Sequence, residues 1–564
     1  MLADDRPGRR SSPEVALDGE GSMKKSRGRV VVLSLVVAAA AACAGGGGGS
    51  GGGPPEYDED GLAPPAALTL ATAGGQVRVD WTPVAGADSY YLYWSATPGV
   101  DPAATPAGQS MPVSAPPALV SGLQGDFHVV VTSVDADGQG DPSPEASTTV
   151  GLVSPYRYFP AWGYATPTSL LTLDHDDGQT QEQNGTALAN MLHSLLPGDR
   201  LEIGTGTYEF TNALRLSLRG TAQDPIWIAA KPGAMPVLTR DGNSQNGVEF
   251  GNGGRAEYVI VEGIEIRGGD VGLRLYDCRN LWFDRCEIHL TANNAIAANS
   301  NDTELITFTR NEVHHTSGYG EGFYVGANDG AVAARFWVIA LNEVHHCGGS
   351  QGDGIEVKQG SYGNWIAENL VYDTNYPCIL VYGTSGEQPN LIEKNVLLRS
   401  ANETLQVQGD AIVRNNVVID GSTAFYSGDH QGPVNNLVVV HNTFLNDGPA
   451  VTLNQWSGKS GMVFANNACY SQTGIALRFG NGSAGVQVSG NVAFGSVLGT
   501  NGGYTLGGGL SDFQNVSWDG SKRNVTPTAF GALIAAADAA RAELEDQTGH
   551  LRMPPYETGA VEEP

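Results

Sequence analysis

The segment GDGIEVKQGSYGN, residues 352–364, contains side chains that can perform acid–base chemistry. Lysine is rare in this chain: seven occur among 564 residues, and three of them, Lys358, Lys394 and Lys459, fall within the repeated region described below. An amine can remove a proton from carbon when burial or a neighbouring cation lowers its pKa. Lys358 is therefore a candidate general base. The alternative is a plain ion pair between Lys358 and Glu356 on one strand.

Carboxylates accompany this lysine. Asp353 and Glu356 lie in the same segment, and Glu321 lies 32 residues before Asp353. Calcium ions prefer several oxygen ligands, carboxylates above all. These three residues form our predicted Ca²⁺ site, and Ca²⁺ is the candidate cofactor.

The strands predicted around this segment alternate apolar inward residues with outward residues. Alignment of successive repeats predicts two outward columns whose neighbours lie about 4.8 Å apart. The columns read Arg274, Ala297, Tyr324, Glu356, Leu380, Gln406 and Tyr276, Asn299, Gly326, Lys358, Tyr382, Gln408. Aromatic faces stack on pyranose rings, and amides and charges bind hydroxyls and carboxylates. Tyr382 follows Lys358 in the second column and is a candidate proton donor. The candidate carbohydrate-binding residues are Arg274, Tyr276, Asn299, Tyr324, Gln406 and Gln408.

Two histidine pairs occupy equivalent positions 31 residues apart, in NEVHHT and NEVHHC. The pairs are His314 with His315 and His345 with His346. Repetition at the period of the repeats indicates a stacked ladder, and a transition metal between the pairs is the alternative. His345 and His346 are also candidate auxiliary acids or bases beside Lys358.

The elements that position these residues are ten copies of one pattern between Gly263 and Asn491: apolar β-formers, an anchor residue, then another apolar residue. Most anchors are Asn, and successive anchors lie 21 to 31 residues apart. Such a period is typical of a solenoid whose turns pair with their neighbours. An Asn can take the left-handed backbone at a corner and bond to its copy one turn away. We therefore predict an all-β fold, a right-handed parallel β-helix of about ten or more turns, with its core at residues 256–500. A β-sandwich would require hairpin sequences such as Asn-Gly, which are scarce here.

Composition limits the partners. The chain has 60 acidic and 31 basic residues and a formal charge of −29, which argues against a nucleic-acid partner. We also expect a monomer. An acidic polysaccharide is compatible only if Ca²⁺ or local basic groups offset the repulsion. Five cysteines follow Cys43, an odd number that argues against a complete disulfide framework. Cys347 and Cys378 fall about one turn apart, where small buried side chains are favoured over a disulfide.

The N-terminal region predicts export. Residues 1–22 are polar and precede a second Met, residues 23–43 have a basic start and a 13-residue apolar run, and residues 44–60 form a Gly/Ser/Pro-rich linker. The run is shorter than the roughly 20 residues that span a bilayer. The segment 23–43 resembles a bacterial lipoprotein signal peptide, which implies lipidation of Cys43 and a membrane attachment through the lipid alone. The implied location is the cell surface or outer membrane.

Other segments predict flanking modules. Residues 61–150 alternate with period two and resemble a fibronectin type III module, on Trp81, Tyr91 and the SVDADGQGDPSP hairpin, with Phe127 in place of the usual Tyr. Residues 155–255 contain an amphipathic helix and predict the N-terminal cap and first turns. Residues 501–564 form the predicted C-terminal cap.

The cap and the motif IEVKQGSYGN resemble the β-helix lyase family of alginate lyases and chondroitinase B. The resemblance implies that Lys358 is the catalytic base. That family has Arg at the strand end of the next turn, where this chain has Tyr382 in VYG. The sequence thus favours a surface-anchored lyase that cleaves a uronic-acid polysaccharide by β-elimination. The alternatives are a glycoside hydrolase, which would need two carboxyls across the scissile bond, and a non-catalytic carbohydrate-binding or adhesion protein.

Overall fold

The computed structural model describes residues 62–106, 108–242, 244–328 and 330–563. The predicted signal peptide, linker and lipidated Cys43 therefore lie outside the described residues. Those residues belong to one compact unit. They include no helix with the length and apolar character needed to cross a membrane.

The N-terminal part of the described chain is a small sandwich of two antiparallel sheets. In spatial order, one sheet contains β1 (Ala66–Ala73), β2 (Gln76–Thr82) and β5 (Ala118–Ser121), and the other contains β4 (Ser110–Val113), β3 (Ser89–Ser95), β6 (Gly125–Val134) and β7 (Ala146–Val150). Its core contains Val77, Trp81 and Leu92, because period-two strands turn one face of each sheet inward. The predicted β-strands are thus present, and the assignment of this segment to the fibronectin type III family stays a prediction.

A helix, α1 (Gln181–His193), covers the start of the solenoid. Thr180 begins it with a capping box, in which Thr180 and Gln183 exchange side-chain and backbone hydrogen bonds. Leu188 and Leu192 are buried against the first turns. An amphipathic helix at this end shields strands that would otherwise present unpaired edges.

The rest of the chain is a right-handed β-solenoid of about 12 turns, as the repeats predict. Its parallel strands stack in three rows, called rows A, B and C. Row A contains β8 Ser169–Leu173, β9 Asp199–Ile203, β12 Ile226–Ala230, β15 Ala256–Glu262, β18 Cys278–Asp284, β22 Thr307–Thr309, β26 Val338–Ala340, β29 Trp365–Ala367, β32 Asn390–Glu393, β35 Ala411–Arg414, β38 Leu437–Val440, β41 Val463–Ala465 and β43 Gln487–Ser489, with β21 Thr303–Glu304 and β25 Ala334–Arg335 beside it.

Rows B and C follow row A within each turn. Row B contains β10 Gly206–Glu209, β13 Pro236–Arg240, β16 Glu265–Gly268, β19 Glu287–His289, β23 Glu312–Thr316, β27 Glu343–Cys347, β30 Leu370–Thr374, β33 Val396–Ser400, β36 Val417–Ile419, β39 Thr443–Asn446 and β42 Ala468–Phe479. Row C contains β11 Leu214–Leu216, β14 Val248–Phe250, β17 Leu273–Leu275, β20 Ile296–Ala298, β24 Phe323–Val325, β28 Ile355–Val357, β31 Ile379–Val381, β34 Glu403–Val407, β37 Thr423–Ser427 and β40 Val451–Leu453. The last turns end with β44 Asn491–Leu498 and β45 Tyr504–Leu506, and a hairpin follows, β46 Phe513–Val516 with β47 Arg523–Pro527.

The Asn anchors form a continuous buried ladder between rows A and B. The side-chain amide of each donates to the Oδ1 of the next at 2.9–3.2 Å. Each Oδ1 from Asn342 onward also accepts from the backbone N–H of the preceding anchor. The ladder satisfies polar groups that the corner would otherwise bury unpaired. Its members are Asn311, Asn342, Asn369, Asn395, Asn416, Asn442, Asn467 and Asn491.

The prediction that the anchor Asn takes the left-handed backbone at the corner is wrong. The left-handed backbone falls on the residue before each anchor and not on the Asn itself. The turn comes one residue earlier because the Asn side chain points inward, where the ladder holds its amide. The left-handed residues form an outward column of their own: Arg310, Leu341, Glu368, Lys394, Asn415, His441 and Asn466.

The segment after the sandwich and the C-terminal tail cover this corner column. Arg157 binds Glu368 at 2.5 Å, and Lys394 binds Glu545 of the tail at 2.7 Å. Further along, the buried Arg552 donates to Asn415 at 3.0 Å. The tail also reaches the sandwich, since the Leu551 N–H donates to Gln76 at 2.9 Å. Both ends of the described chain are thereby fixed to the solenoid.

The described cysteines, Cys278, Cys286, Cys347, Cys378 and Cys469, are all buried and free. Cys347 and Cys378 are therefore small buried side chains, as predicted, and do not form a disulfide.

Candidate functional site

The two outward columns exist as predicted on row C. Residue-to-residue pairing runs Arg274, Ala297, Tyr324, Glu356, Leu380, Gln406 along the first column. Backbone hydrogen bonds place Tyr276, Gly326, Lys358, Tyr382 and Gln408 just after the same strands. The alternation of β-strand side chains fixes this arrangement, because the flanking apolar residues fill the solenoid interior.

Lys358 lies at the centre of the site and is only 3% exposed. Its Nζ forms an ion pair with Glu356. The same Nζ lies 4.5 Å from the ring centre of Tyr324 and 5.5 Å from that of Tyr382. The lysine on one turn is thus held between the rings of the preceding and the following turn, which favours a fixed position for its amine.

Gly326 makes room for this lysine. It precedes Lys358 in the second column and has a φ of +86°. A Cβ at this position would lie 3.2 Å from the Cβ of Lys358 and 2.5 Å from Oγ of Ser361. A larger residue would therefore displace Lys358 or Ser361.

Three carboxyls meet beside the lysine. One oxygen each from Glu321, Asp353 and Glu356 lie within 4.8 Å of one another, and all three side chains are buried. Burial raises the pKa of Glu321 to about 7, with Glu356 adding to the effect. Burial and the neighbouring Glu356 and Glu321 raise the pKa of Asp353 well above its ordinary value. Burial also raises the pKa of Glu356, against the opposing effect of Lys358.

The cluster fits the predicted cation. Within the described residues, Oδ1 of Asp353 and Oε2 of Glu356 are buried without a hydrogen-bond partner. Buried, unpaired carboxylate oxygens that face like charges are costly, and a divalent cation bound by oxygen ligands offsets that cost. Glu321, Asp353 and Glu356 are the residues that would hold Ca²⁺.

A cavity of about 360 Å³ opens beside this cluster. Its volume lies within the range of small-molecule sites. Amides and phenols dominate its wall, and Glu321 is its one titratable carboxyl among the described lining residues. The lining residues are Asn294, Asn299, Tyr319, Glu321, Tyr324, Asn328 and Gln351.

The two tyrosines beside Lys358 differ in access. Tyr324 lines the cavity. Tyr382 is 3% exposed, and its ring stacks on His430 with ring centres 5.2 Å apart. Burial and the nearby Glu356 and Asp353 raise the pKa of Tyr382. The geometry therefore favours Tyr324 over Tyr382 as the phenol that meets a ligand.

The remaining predicted binding residues lie on neighbouring turns of row C, and Asn299 among them lines the cavity. Arg274 stacks over Tyr276 at 5.4 Å and donates to Asn299 at 2.9 Å and to Ser300 at 3.1 Å. On the other side of the site, Gln408 is buried and donates to the carbonyl of Pro433 at 3.3 Å.

Gln406 occupies the same column two turns beyond Glu356. Tyr319 is a functional candidate that column reasoning missed, because it lies in a loop and not on a strand.

The histidine pairs form the predicted ladder, on row B. His314 stacks on His345 and His315 on His346, each with ring centres 4.9 Å apart. His345 also contacts Tyr372 and lies 3.2 Å from Glu312. Lys358 lies directly after β28 of row C, whereas His345 and His346 lie on β27 of row B. The contacts of the two histidines are therefore made on a different row of strands from that of the lysine. Their role as auxiliary acids or bases stays a prediction.

Comparison with known proteins supports the scaffold. Residues 322–469 match the family model described as a right handed beta helix region. No curated protein matches the chain.

One similar solved structure is an alginate lyase from Paenibacillus sp. str. FPU-7, with a TM-score of 0.34 and 15% identity over 60% of this chain and 99% of that chain. A second is the PL6-family alginate lyase AlyGC, with a TM-score of 0.41 and 14% identity over 64% of this chain and 55% of that chain. A third is the periplasmic alginate epimerase AlgG, with a TM-score of 0.29 and 11% identity over 55% of this chain and 75% of that chain. The chain thus spans about half of the AlyGC chain.

Proposed function

We propose that this protein cleaves a uronic-acid polysaccharide by β-elimination at the cavity beside Lys358. The observation that carries the proposal is a buried amine held between two phenol rings, next to three carboxyls and a sugar-sized cavity. Elimination from a uronate needs a base for the carbon-5 proton, an acid for the leaving oxygen, and neutralisation of the carboxylate. The site contains a candidate group for each requirement.

Lys358 is the base in this proposal. Its neutral amine takes the carbon-5 proton, the electron pair of that C–H bond forms the carbon-4 to carbon-5 double bond, and the bond from carbon 4 to the glycosidic oxygen breaks. Tyr324 gives its phenolic proton to the departing oxygen, because it lines the cavity while Tyr382 is buried beneath His430. Tyr382 then acts by holding Lys358 in position.

In this proposal the carboxyl cluster binds the cation that neutralises the carboxylate of the substrate. A bound Ca²⁺ would neutralise the carboxylate of the sugar and acidify its carbon-5 proton. Glu356 is both a candidate ligand and the present counter-ion of Lys358. A cation that engages Glu356 would therefore release the Lys358 amine from its ion pair.

The test is ultraviolet absorbance of the unsaturated product on a panel of pectate, alginate and chondroitin, with Ca²⁺ or with a chelator. Absorbance is expected to rise on at least one polymer and to disappear in Lys358→Ala. Lys394→Ala is the matched control, since Lys394 is also buried and paired with a glutamate but lies at the corner between rows A and B. A flat trace on every polymer, with a folded protein, excludes the proposal.

Hydrolysis is the second candidate, and Glu321 favours it. A carboxyl with a pKa near 7 that lines a sugar-sized cavity suits a general acid. Retaining hydrolases place their two carboxyls about 5–5.5 Å apart, and Asp353 is the potential partner of Glu321. Reducing ends that appear without ultraviolet absorbance would support hydrolysis. Binding without either product would support a non-catalytic carbohydrate-binding protein.

The proposed location is the cell surface or outer membrane, with attachment through a lipid on Cys43. The resemblance of residues 23–43 to a lipoprotein signal peptide supports it. Metabolic labelling with a fatty-acid analogue should label the wild type and not Cys43→Ser. Equal labelling of both proteins excludes this attachment.

A further inference from the structure

We propose that the stacked histidine pairs on row B bind divalent transition-metal ions, one ion at each pair. The ions are of the late first-row kind, and Cu²⁺ and Ni²⁺ fit better than Zn²⁺. These sites are separate from the carboxyl cluster beside Lys358, which offers oxygen ligands only. They do not depend on the proposed β-elimination. The four ligands are His314, His315, His345 and His346.

The backbone at this corner brings two adjacent side chains to the same face of the solenoid. Neighbours on a regular strand point to opposite faces. His315 has a φ of +53° and His346 a φ of +52°, a left-handed conformation that is uncommon for residues other than glycine. Val313 and Thr316, the residues on either side of the first pair, are buried. Both rings of a pair therefore lie on the outer face, where an ion can reach them.

A carboxylate binds one nitrogen of His314 and of His345. Nε2 of His314 lies 3.1 Å from Glu287, and Nε2 of His345 lies 3.2 Å from Glu312. A carboxylate accepts hydrogen bonds and does not donate them, so in the neutral ring Nε2 carries the proton and Nδ1 carries a lone pair. Histidines that bind metals have this same carboxylate partner on their other nitrogen. His314 and His345 are thus oriented as metal ligands.

The Nδ1 atoms of each pair are close enough to bind one ion together. They lie 2.6 Å apart between His314 and His315, and 2.7 Å apart between His345 and His346. With metal–nitrogen bonds of about 2.0–2.1 Å, an ion bound to both nitrogens has an N–metal–N angle of about 80°. This angle is nearer to the right angle of square-planar and octahedral ions than to the tetrahedral angle. The pairs therefore favour Cu²⁺ and Ni²⁺ over Zn²⁺.

The stacking distance gives each pair its own ion. The rings of His314 and His345 are parallel with centres 4.9 Å apart, and those of His315 and His346 have the same spacing. Equivalent nitrogens on parallel stacked rings are separated by the same distance as the ring centres. Two nitrogens on one ion lie at most about 4.2 Å apart. A single ion therefore cannot bind both turns, and the second ion binds more weakly because the first repels it.

Carboxylates on the same face offset the charge of the ions. Glu287 and Glu312 contact the histidines, and Glu265 and Glu343 continue their column on the turns before and after. Arg399, two turns beyond His346, is already paired with a carboxylate at 2.7 Å. A row of four glutamates beside the pairs attracts cations to this face.

The test is calorimetric titration of the full chain with Cu²⁺ or Ni²⁺ alone. Ca²⁺ is present throughout, so that sites with oxygen ligands are occupied. His315→Leu and His346→Leu are each expected to lose one bound ion relative to wild type, and the double variant to lose both. Leucine suits this corner, because Leu290 holds the same position one turn earlier with a φ of +53°. His315→Asn and His346→Asn serve if the leucine variants do not fold, since asparagine tolerates the left-handed backbone.

Two further variants test the assignment of the ligands. Glu287→Gln should weaken binding at the first pair by about tenfold or more, because the carboxylate only orients His314. His193→Leu is the control and should bind as wild type does, since His193 is exposed on α1 and far along the chain from the pairs. His289 tests an alternative, because Glu287, His289 and His314 also bring ligand atoms within 4.8 Å of one another. Loss of binding in His289→Gln with binding retained in His315→Leu would make that trio the site and overturn the proposal.

Other outcomes also contradict the proposal. Equal binding by wild type and the double variant would place the ions elsewhere. Loss of both ions in a single variant would mean that the four rings share one ion. Tighter binding of Zn²⁺ than of Ni²⁺ would refute the argument from the N–metal–N angle. Electron paramagnetic resonance with Cu²⁺ gives an independent readout: nitrogen couplings and a magnetic interaction between ions about 5 Å apart are expected, and a spectrum without nitrogen couplings overturns the assignment.

Discussion

The carboxyl cluster makes the stability of this protein depend on pH. The pKa of Glu321 rises from 4.5 to about 7 on folding, because the side chain is buried near Glu356. Between these values the folded state binds more protons than the unfolded state, so the free energy of unfolding falls as pH rises through this window. At about 1.4 kcal/mol for each pKa unit, Glu321 alone accounts for a loss of about 3 kcal/mol between pH 4 and pH 8.

Replacement of Glu321 by Gln removes this titration. We expect urea unfolding, followed by tryptophan fluorescence in a chelator, to show that wild type loses about 3 kcal/mol more than Glu321→Gln between pH 4 and pH 8. The net charge of −29 gives every variant a background pH dependence, so the difference between variants is the measured quantity. Glu387→Gln is the control, since Glu387 is exposed and its loss should leave the wild-type slope.

Calcium should reverse this trend. A cation binds the deprotonated cluster, so Ca²⁺ at 100 times its Kd should stabilise wild type by about 2.7 kcal/mol at pH 8 and by much less at pH 5. If the free energy of unfolding changed equally with pH in wild type and in Glu321→Gln, the argument that burial raises the pKa of Glu321 would be refuted. Stabilisation by Ca²⁺ of the same size at both pH values, or one retained in Glu321→Gln, would refute the predicted ion site.

Three further outcomes follow from the structure. Asn369→Ala should lower the free energy of unfolding by about 3–5 kcal/mol in urea titrations, since it breaks the ladder and leaves several buried groups unpaired, whereas an exposed Asn→Ala change should cost under 1 kcal/mol. Tyr324→Phe should reduce kcat by about 10²–10⁴-fold in the absorbance assay and Tyr382→Phe by less than about tenfold; the reverse order would return the proton donor to Tyr382. Arg552→Met should free the C-terminal tail, because its fully buried guanidinium holds the Gly559 and Ala560 carbonyls at 2.9 and 3.0 Å, so limited proteolysis should remove the tail while the solenoid persists.

The sequence predicts the solenoid well because its physical rule is local. Each turn places an anchor, in most cases an Asn, at one corner and an apolar residue two positions later, so Asn311 to Asn491 reveal the period directly. The same register gives the columns through Tyr324, Glu356 and Lys358, since β-strand alternation decides which side chains point outward. The meeting of Glu321 with Asp353 also follows from stacking, since the two lie about one turn apart in the chain.

Other parts of the site could not be read this way. Tyr319 and Gln351 lie in loops, where no period fixes the direction of a side chain. The contrast between Tyr324 and Tyr382 depends on His430, which reaches Tyr382 from a distant loop, and no sequence signal marks that contact. Glu545 and Arg552 meet the solenoid only because the tail folds back along it.

That fold-back constrains the order in which the molecule can be completed. Turns of the solenoid pair with their neighbours and can stack one after another as the chain emerges from a ribosome or a membrane channel. The contact between Gln76 and Leu551 joins residues 475 positions apart, so it cannot form until residue 551 has been synthesised. Premature termination a few dozen residues early would thus spare the stacked turns yet leave the N-terminal module unfastened, an outcome that protease sensitivity near residue 152 would reveal.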